Sequence, residues 1–225
     1  MKTNETVEVE LRGAEEKAGL EKIEDLALKT DSGTIRCRLH AARSGEAAIL
    51  WVFGSGGGLG GPAGGVYERL ANEFISFTVS SLQLDYRRPG HLKSCVEDVL
   101  IGVDYLASLG KKKIALVGHS FGGAVVISAG ILSPTVAAVA ALSSQTSGAE
   151  NAAALAPKPL LLIHGADDEI LPASCSQHIY KQAREPKELI LYEGCRHGLD
   201  RCRDELDRDL TNWLKGVFEI EEPTV

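Results

Sequence analysis

Leu116-Val117-Gly118-His119-Ser120-Phe121-Gly122-Gly123 joins two segments of different character. Lys113 to Val117 before it is apolar and β-branched, the pattern of a buried strand. Ala124 to Leu132 after it is small and apolar throughout and reads as a helix. Ser120 therefore falls on the turn between strand and helix. Such a turn holds its central residue in a strained conformation, so its neighbours need little side chain, and Gly118 and Gly122 supply that. The turn points the Ser120 hydroxyl out from the carboxyl edge of a sheet, at the amino end of a helix. The backbone N–H of Phe121 and the helix dipole there can meet a developing negative charge. The spacing is that of a G-x-S-x-G nucleophile elbow.

Composition narrows the classes open to the chain. It has 225 residues and a formal charge of −7, with acidic and basic residues interspersed. This argues against nucleic acid or an anionic membrane surface as the main partner. Met1 to Glu10 is polar and lacks the apolar run of a signal peptide. The longest clearly apolar stretch, Val136 to Leu142, is too short to span a bilayer. The cysteines (Cys37, Cys95, Cys175, Cys195 and Cys202) are odd in number and scattered, which suits reduced thiols in a cytoplasm. Cys195, His197, Asp200 and Cys202 crowd together, but without regular ligand spacing, so no metal is expected. Residues 1–22, rich in Glu and Lys, are expected to form a poorly defined extension, a frayed strand or a short helix without a function, with 23–225 a single domain.

Upstream of the elbow, Ile23 to Lys29 and Thr34 to Ala41 alternate about Asp31-Ser32-Gly33, which predicts a hairpin. Ala47 to Phe53 is a continuous apolar run, a strand buried on both faces. A glycine-rich stretch from Gly54 to Gly65 follows, with Pro62 near the start of a helix that runs to Asn72. So many glycines let backbone N–H groups approach a ligand closely. The loop reads as half of an oxyanion hole, with Ser55 or Gly56 as donor, or as a dinucleotide fingerprint through Gly56, Gly58 and Gly61, with Asp85 as the ribose acid. It also reads as a loop without a ligand. The serine elbow downstream favours the first. Ser76 to Leu84 is a strand, after which Asp85 and Arg87 read as the rim of a pocket or, more readily, as a strand-end turn with local ion pairs. Val96, Val99, Leu100, Val103 and Leu106 give helical spacing over Leu92 to Leu109.

Downstream, Val136 to Leu142 is a buried strand. Ser143 to Pro157 offers only a loop where enzymes with deep pockets insert a lid, so an open, shallow site is expected. Pro159 to Ile163 is a strand and leads into His164-Gly165-Ala166-Asp167-Asp168-Glu169-Ile170-Leu171-Pro172. A helix opens at Pro172 or Ala173 and runs to about Arg184. Glu188 to Tyr192 is the last strand. Gly194-Cys195-Arg196-His197-Gly198 follows it, and Leu199 to Phe218 is an amphipathic closing helix.

Ser120, Asp168 and His197 each come directly after a strand in an alternating strand–helix pattern. That pattern implies a mostly parallel sheet with those loops at one edge. A serine hydroxyl is a poor nucleophile at neutral pH. His197 would take its proton during attack and return it to the leaving group, and Asp168 would fix the imidazole tautomer. The N–H groups of Phe121 and of Ser55 or Gly56 would bind the oxyanion. Asp167 rivals Asp168, and His119 and His164 rival His197. The G-x-x-D-x-x-x-P spacing from Gly165 to Pro172 favours Asp168. His119 lies within the elbow and is expected to point away from the site, and His164 sits at a strand end.

With GHSFGG at 118–123, HGADDEILP at 164–172 and CRHGLD at 195–200, the chain resembles the α/β-hydrolase superfamily over residues 23 to 218. It is most similar to the compact esterase and dienelactone-hydrolase-like members that lack a large lid. The resemblance implies an α/β fold, with a mainly parallel central sheet flanked by helices, and no cofactor. It implies a serine hydrolase acting on a small or medium carboxylic ester or thioester through an acyl-enzyme. Serine at position 120 departs from dehalogenases, which use aspartate there, and from cysteine-type dienelactone hydrolases. Phe53-Gly54 stands where many members carry His-Gly, which leaves Ser55 and Gly56 both open as second oxyanion donor. Two other classes stay open: a non-catalytic ligand-binding protein on the same fold, and a nucleotide-dependent enzyme using the loop 54–65.

Overall fold

The computed structural model describes residues 6–17 and 21–220. The strands are β1 (Glu8–Lys17), β2 (Glu21–Thr30), β3 (Gly33–Ala42), β4 (Ala47–Val52), β5 (Ser80–Asp85), β6 (Lys113–His119), β7 (Val136–Leu142), β8 (Leu160–Gly165) and β9 (Lys187–Tyr192). They form one sheet in the order β1-β2-β3-β5-β4-β6-β7-β8-β9. The pairs β1–β2, β2–β3 and β3–β5 are antiparallel, and every pair from β5 across to β9 is parallel.

Two apolar layers cover the sheet. On one face α2 (Leu92–Ser108), α3 (Phe121–Leu132) and α4 (Ser174–Gln182) pack over Leu50, Leu82, Leu84, Leu116 and Leu162. On the other, α1 (Pro62–Ile75) and α5 (Arg203–Phe218) pack over Ile49, Trp51, Val117 and Ile163. Strands β4, β6, β7 and β8 are buried on both faces, which is why they read as largely continuous apolar runs, whereas β5, equally buried, carries Ser80, Ser81, Gln83 and Asp85 among its leucines. Each fully buried Leu or Ile in these layers contributes about 1.5–3 kcal/mol by leaving water. The architecture is the α/β-hydrolase fold, as the sequence implied. Among the described residues no helix is long and apolar enough to cross a membrane.

The chain passes from β4 to β5 on one side and returns to β6 on the other. The crevice at the carboxyl end of β4 and β6 is therefore a topological switch point, where open α/β sheets bind ligands. Val52 pairs with Gly118 there, so Phe53-Gly54 and His119-Ser120 leave the sheet side by side.

Several boundaries differ from the expected ones, for local reasons. Strand β1 lies within the stretch expected as an extension and forms the sheet's outer strand. Its Val9 and Leu11 are about half exposed, so no core-facing pattern marks it. Pro62 does open α1, but Ala63, Gly64 and Gly65 have left-handed dihedrals, so the regular helix starts at Val66 and continues to Ile75. Helix α4 begins at Ser174 and stops at Gln182, short of the extended residues before Pro186. Helix α5 begins at Arg203, because Leu199 is left-handed and Asp200–Cys202 form a separate 3-10 turn.

Candidate functional site

Ser120 has φ 58° and ψ −122°, a conformation few non-glycine residues adopt, and Phe121 starts α3 directly after it. The turn closes because Gly122 has no side chain. A Cβ there would stand 2.3 Å from the Phe53 carbonyl oxygen. The Phe121 N–H is the first of the helix and so has no place in its i→i−4 ladder.

The loops after β8 and β9 bring two more side chains to this point. Asp168 Oδ1 accepts the backbone N–H groups of Ile170 and Leu171, both at 2.8 Å. Asp168 Oδ2 accepts from His197 Nδ1 at 2.7 Å. His197 Nε2 lies 3.0 Å from Ser120 Oγ. Since a carboxylate only accepts, Nδ1 carries the imidazole proton and Nε2 faces the hydroxyl as acceptor. The Asp168 side chain is fully buried and that of His197 largely so. Burial works to raise the Asp168 pKa, but the hydrogen bonds from His197, Leu171 and Ile170 outweigh it and hold the carboxyl below its ordinary value. Asp168 rather than Asp167 takes this place, and its carboxylate also turns the chain toward α4.

The His197 loop is held from several sides. Asp167 N–H donates to the Cys195 carbonyl at 2.9 Å, and Ala63 N–H to the Gly198 carbonyl at 2.7 Å. A Cβ on Gly165 would stand 2.4 Å from the Cys195 carbonyl oxygen, so only glycine lets β8 end this close to the loop. Cys195 and Cys202 are joined as a disulfide across the seven-residue separation that contains His197. This corrects the expectation of reduced thiols throughout: proximity of the two cysteines after β9 is a contact their scattered spacing does not announce. Cys37, Cys95 and Cys175 are free.

Both rival histidines lie against the same loops. His119 does not point away, as expected for it. Its Nε2 donates to the His197 carbonyl oxygen at 2.9 Å, and its ring is stacked on Phe53 and 4.8 Å from the His197 ring. Burial pushes its pKa down to about 4, so it is neutral near pH 7. His164 contacts Asp168 itself, with Nε2 3.1 Å from Oδ2. Phe53, which stands where many members of the superfamily carry histidine, thus backs the elbow histidine, and its carbonyl accepts from Tyr86 Oη at 3.2 Å.

Ser55 and Gly56 are the central residues of a turn closed by Gly57 N–H to the Gly54 carbonyl, 3.0 Å. Gly54 brings this turn against the elbow: a Cβ on it would lie 3.5 Å from Ser120 Cβ. Asp85 is not available to a ribose. Its Oδ1 accepts the Gly58 N–H at 2.6 Å and its Oδ2 pairs with Arg36, so it ties down the glycine-rich loop. Asp85 and Arg87 are both ion-paired, with Arg36 and with buried Asp98, and both also line a pocket beside Gly56, Gly57 and Gly58. Ser143 to Pro159 holds only the short 3-10 turn Ala152–Leu155, with no lid element.

A nine-stranded α/β-hydrolase sheet with a strained serine at its switch point defines the class of this molecule. A family model named the dienelactone hydrolase family matches residues 81–212, more than half of the chain. The chain belongs to the dienelactone hydrolase family. Among curated relatives, YfhR of Escherichia coli O157:H7, described as an uncharacterized protein, is 31% identical over 138 residues, covering 50% of this chain and 49% of that one. YfhR of Escherichia coli K12 is 32% identical over 118 residues, 42% of each chain. The match thus spans about half the length of these relatives. Among solved structures, dienelactone hydrolase from Anabaena variabilis shares the fold with a TM-score of 0.75 at 15% identity, covering 88% of this chain and 98% of that one. Est1E from Butyrivibrio proteoclasticus does so with a TM-score of 0.70 at 17% identity, covering 92% and 99%.

Proposed function

We propose that the protein is a serine hydrolase that cleaves small or medium carboxylic esters or thioesters through an acyl-enzyme at Ser120. The observation that carries this reading is the hydrogen-bonded chain Ser120 Oγ–His197–Asp168, formed by three residues from three separate loops. His197 Nε2 takes the hydroxyl proton as Ser120 Oγ attacks the substrate carbonyl. The resulting imidazolium is stabilised by Asp168, and the proton passes to the leaving alcohol or thiol. Water then repeats the sequence on the acyl-enzyme and frees the acid.

The developing oxyanion is bound by the Phe121 N–H, at the positive end of α3, and by an N–H of the turn at Ser55 and Gly56. Each such donor is typically worth about 3–4 kcal/mol of barrier. The absence of a lid element between Ser143 and Pro159 favours a site open to compact acyl groups without a closure step. Residues from 23 onward act as one hydrolase domain, with β1 as an added outer strand of its sheet.

An ester panel tests the reading. Wild-type protein is expected to hydrolyse p-nitrophenyl esters with a preference for short chains, and Ser120→Ala to lose at least about a thousand-fold. Equal rates for the two proteins would remove the assignment.

A further inference from the structure

Asp168 Oδ2 is shared by two imidazoles. Besides His197 Nδ1 at 2.7 Å, it has His164 Nε2 at 3.1 Å. His164 is fully buried at the end of β8. Its Nε2 is also 2.9 Å from the Leu171 carbonyl oxygen. Both neighbours are pure acceptors, so the proton is on Nε2. Nδ1 is then an acceptor, and the Ser176 hydroxyl, 2.7 Å away on α4, donates to it. The sequence Ser176–His164–Asp168 repeats the pattern Ser120–His197–Asp168 and ends on the same oxygen. Ser176 has no exposure, so it cannot meet a substrate.

We propose that His164 is a positioning residue for Asp168: its Nε2–H, with the tautomer fixed by Ser176, holds the carboxylate in the rotamer that orients His197. This rests on the function proposed above. Asp168 has three hydrogen-bond donors, two from the backbone of its own loop and His197 Nδ1, and the His164 Nε2–H, bonded to the Leu171 carbonyl, stands 3.1 Å from Oδ2 as a fourth positive neighbour. With its charge shared between His164 and His197, the carboxylate is a weaker base toward His197 than it would be alone. Removing the His164 N–H leaves the Asp168 charge to His197 alone and changes how that carboxylate faces the imidazolium formed in the reaction. Burial, acting first, lowers the His164 pKa and keeps it the neutral donor. The other titratable groups facing this network are His119 behind His197, Glu169 on the His197 N–H, and the Cys175 thiol near Asp168. None of them donates to Asp168.

The test compares the pH profiles of kcat/KM for p-nitrophenyl acetate in wild type, His164→Leu and His164→Gln. His164→Leu is expected to lower kcat about ten-fold with KM nearly unchanged, the effect of one lost N–H contact to a charged group, and to move the acid limb. His164→Gln restores an N–H near the Nε2 position and should recover the wild-type limb. An acid limb unmoved in His164→Leu, or a Gln variant no better than Leu, overturns the proposal. A readout free of variants and of turnover is the 15N spectrum of wild-type His164, expected as the neutral Nε2–H tautomer around pH 7. The Nδ1–H tautomer would overturn the proposal even in active protein. Wild-type protein that turns over no ester would instead remove the function on which it rests, and the spectrum still decides the tautomer.

Discussion

His119 and His197 are joined by a hydrogen bond from His119 Nε2 to the His197 carbonyl oxygen, 2.9 Å long. The residue before the proposed nucleophile therefore holds the loop of the proposed base, and strand β6 sets the position of both. His119→Leu keeps the bulk and removes the donor. It is expected to lower kcat/KM about ten-fold while Ser120 still reacts with an acylating probe, a loss in the range of one second-layer contact. Steady-state kinetics on an ester substrate check this. An unchanged kcat would mean that the remaining ties at Gly198 and Cys195 suffice.

The buried histidines also set a pH dependence of stability. His119 is held near 4 by burial, whereas an unfolded chain protonates histidine near 6.5. Below about 6.5 the unfolded state takes up a proton that the folded state refuses. Stability is thus complete above that pH and falls as pH drops toward about 4, by on the order of 3 kcal/mol for this group alone. His164, lowered by burial, and Asp168, held below its ordinary value, act in the same sense. Urea midpoints across this range should decline toward acid, and His119→Leu should decline less.

Two glycines near the site should respond oppositely to alanine. Gly122→Ala places a methyl 2.3 Å from a backbone oxygen, which neither segment can yield, and should cost more than about 3 kcal/mol. Gly56→Ala meets nothing within 4 Å and should leave stability within about 0.5 kcal/mol. Chemical denaturation of the two variants makes the comparison.

A buried ion pair fixes the chain beyond β5. Arg87 Nε donates to Asp98 Oδ1 at 2.5 Å and its backbone N–H to Oδ2 at 2.8 Å, with both side chains nearly or fully buried. Asp98→Ala removes the carboxylate facing the buried Arg87 guanidinium and is expected to cost about 3–5 kcal/mol. The unfolding midpoint measures it.

Much of the fold was legible because strands β4, β6, β7 and β8 are apolar runs bounded by turns, and because Ser120, Asp168 and His197 each follow a strand. Once the sheet is parallel, those positions share an edge. What the sequence did not disclose are contacts between those loops. His119 and His164 were weighed as rivals of His197, yet each supports it, through approaches set by Gly165 and by the pairing of Val52 with Gly118. The Cys195–Cys202 bond spans a left-handed turn at Leu199, which no residue preference demands. For strand β1 the sequence allows a frayed strand or a short helix, because a sheet edge with solvent on both faces needs no apolar pattern.

The most direct measurement is the reaction of folded protein with a fluorophosphonate, followed by peptide mapping. A single adduct is expected on Ser120, absent in Ser120→Ala and slowed at least about a hundred-fold in His197→Ala, in line with the loss of an activating base. Folded wild-type protein that stays unmodified, or an equal adduct in Ser120→Ala, would contradict the account.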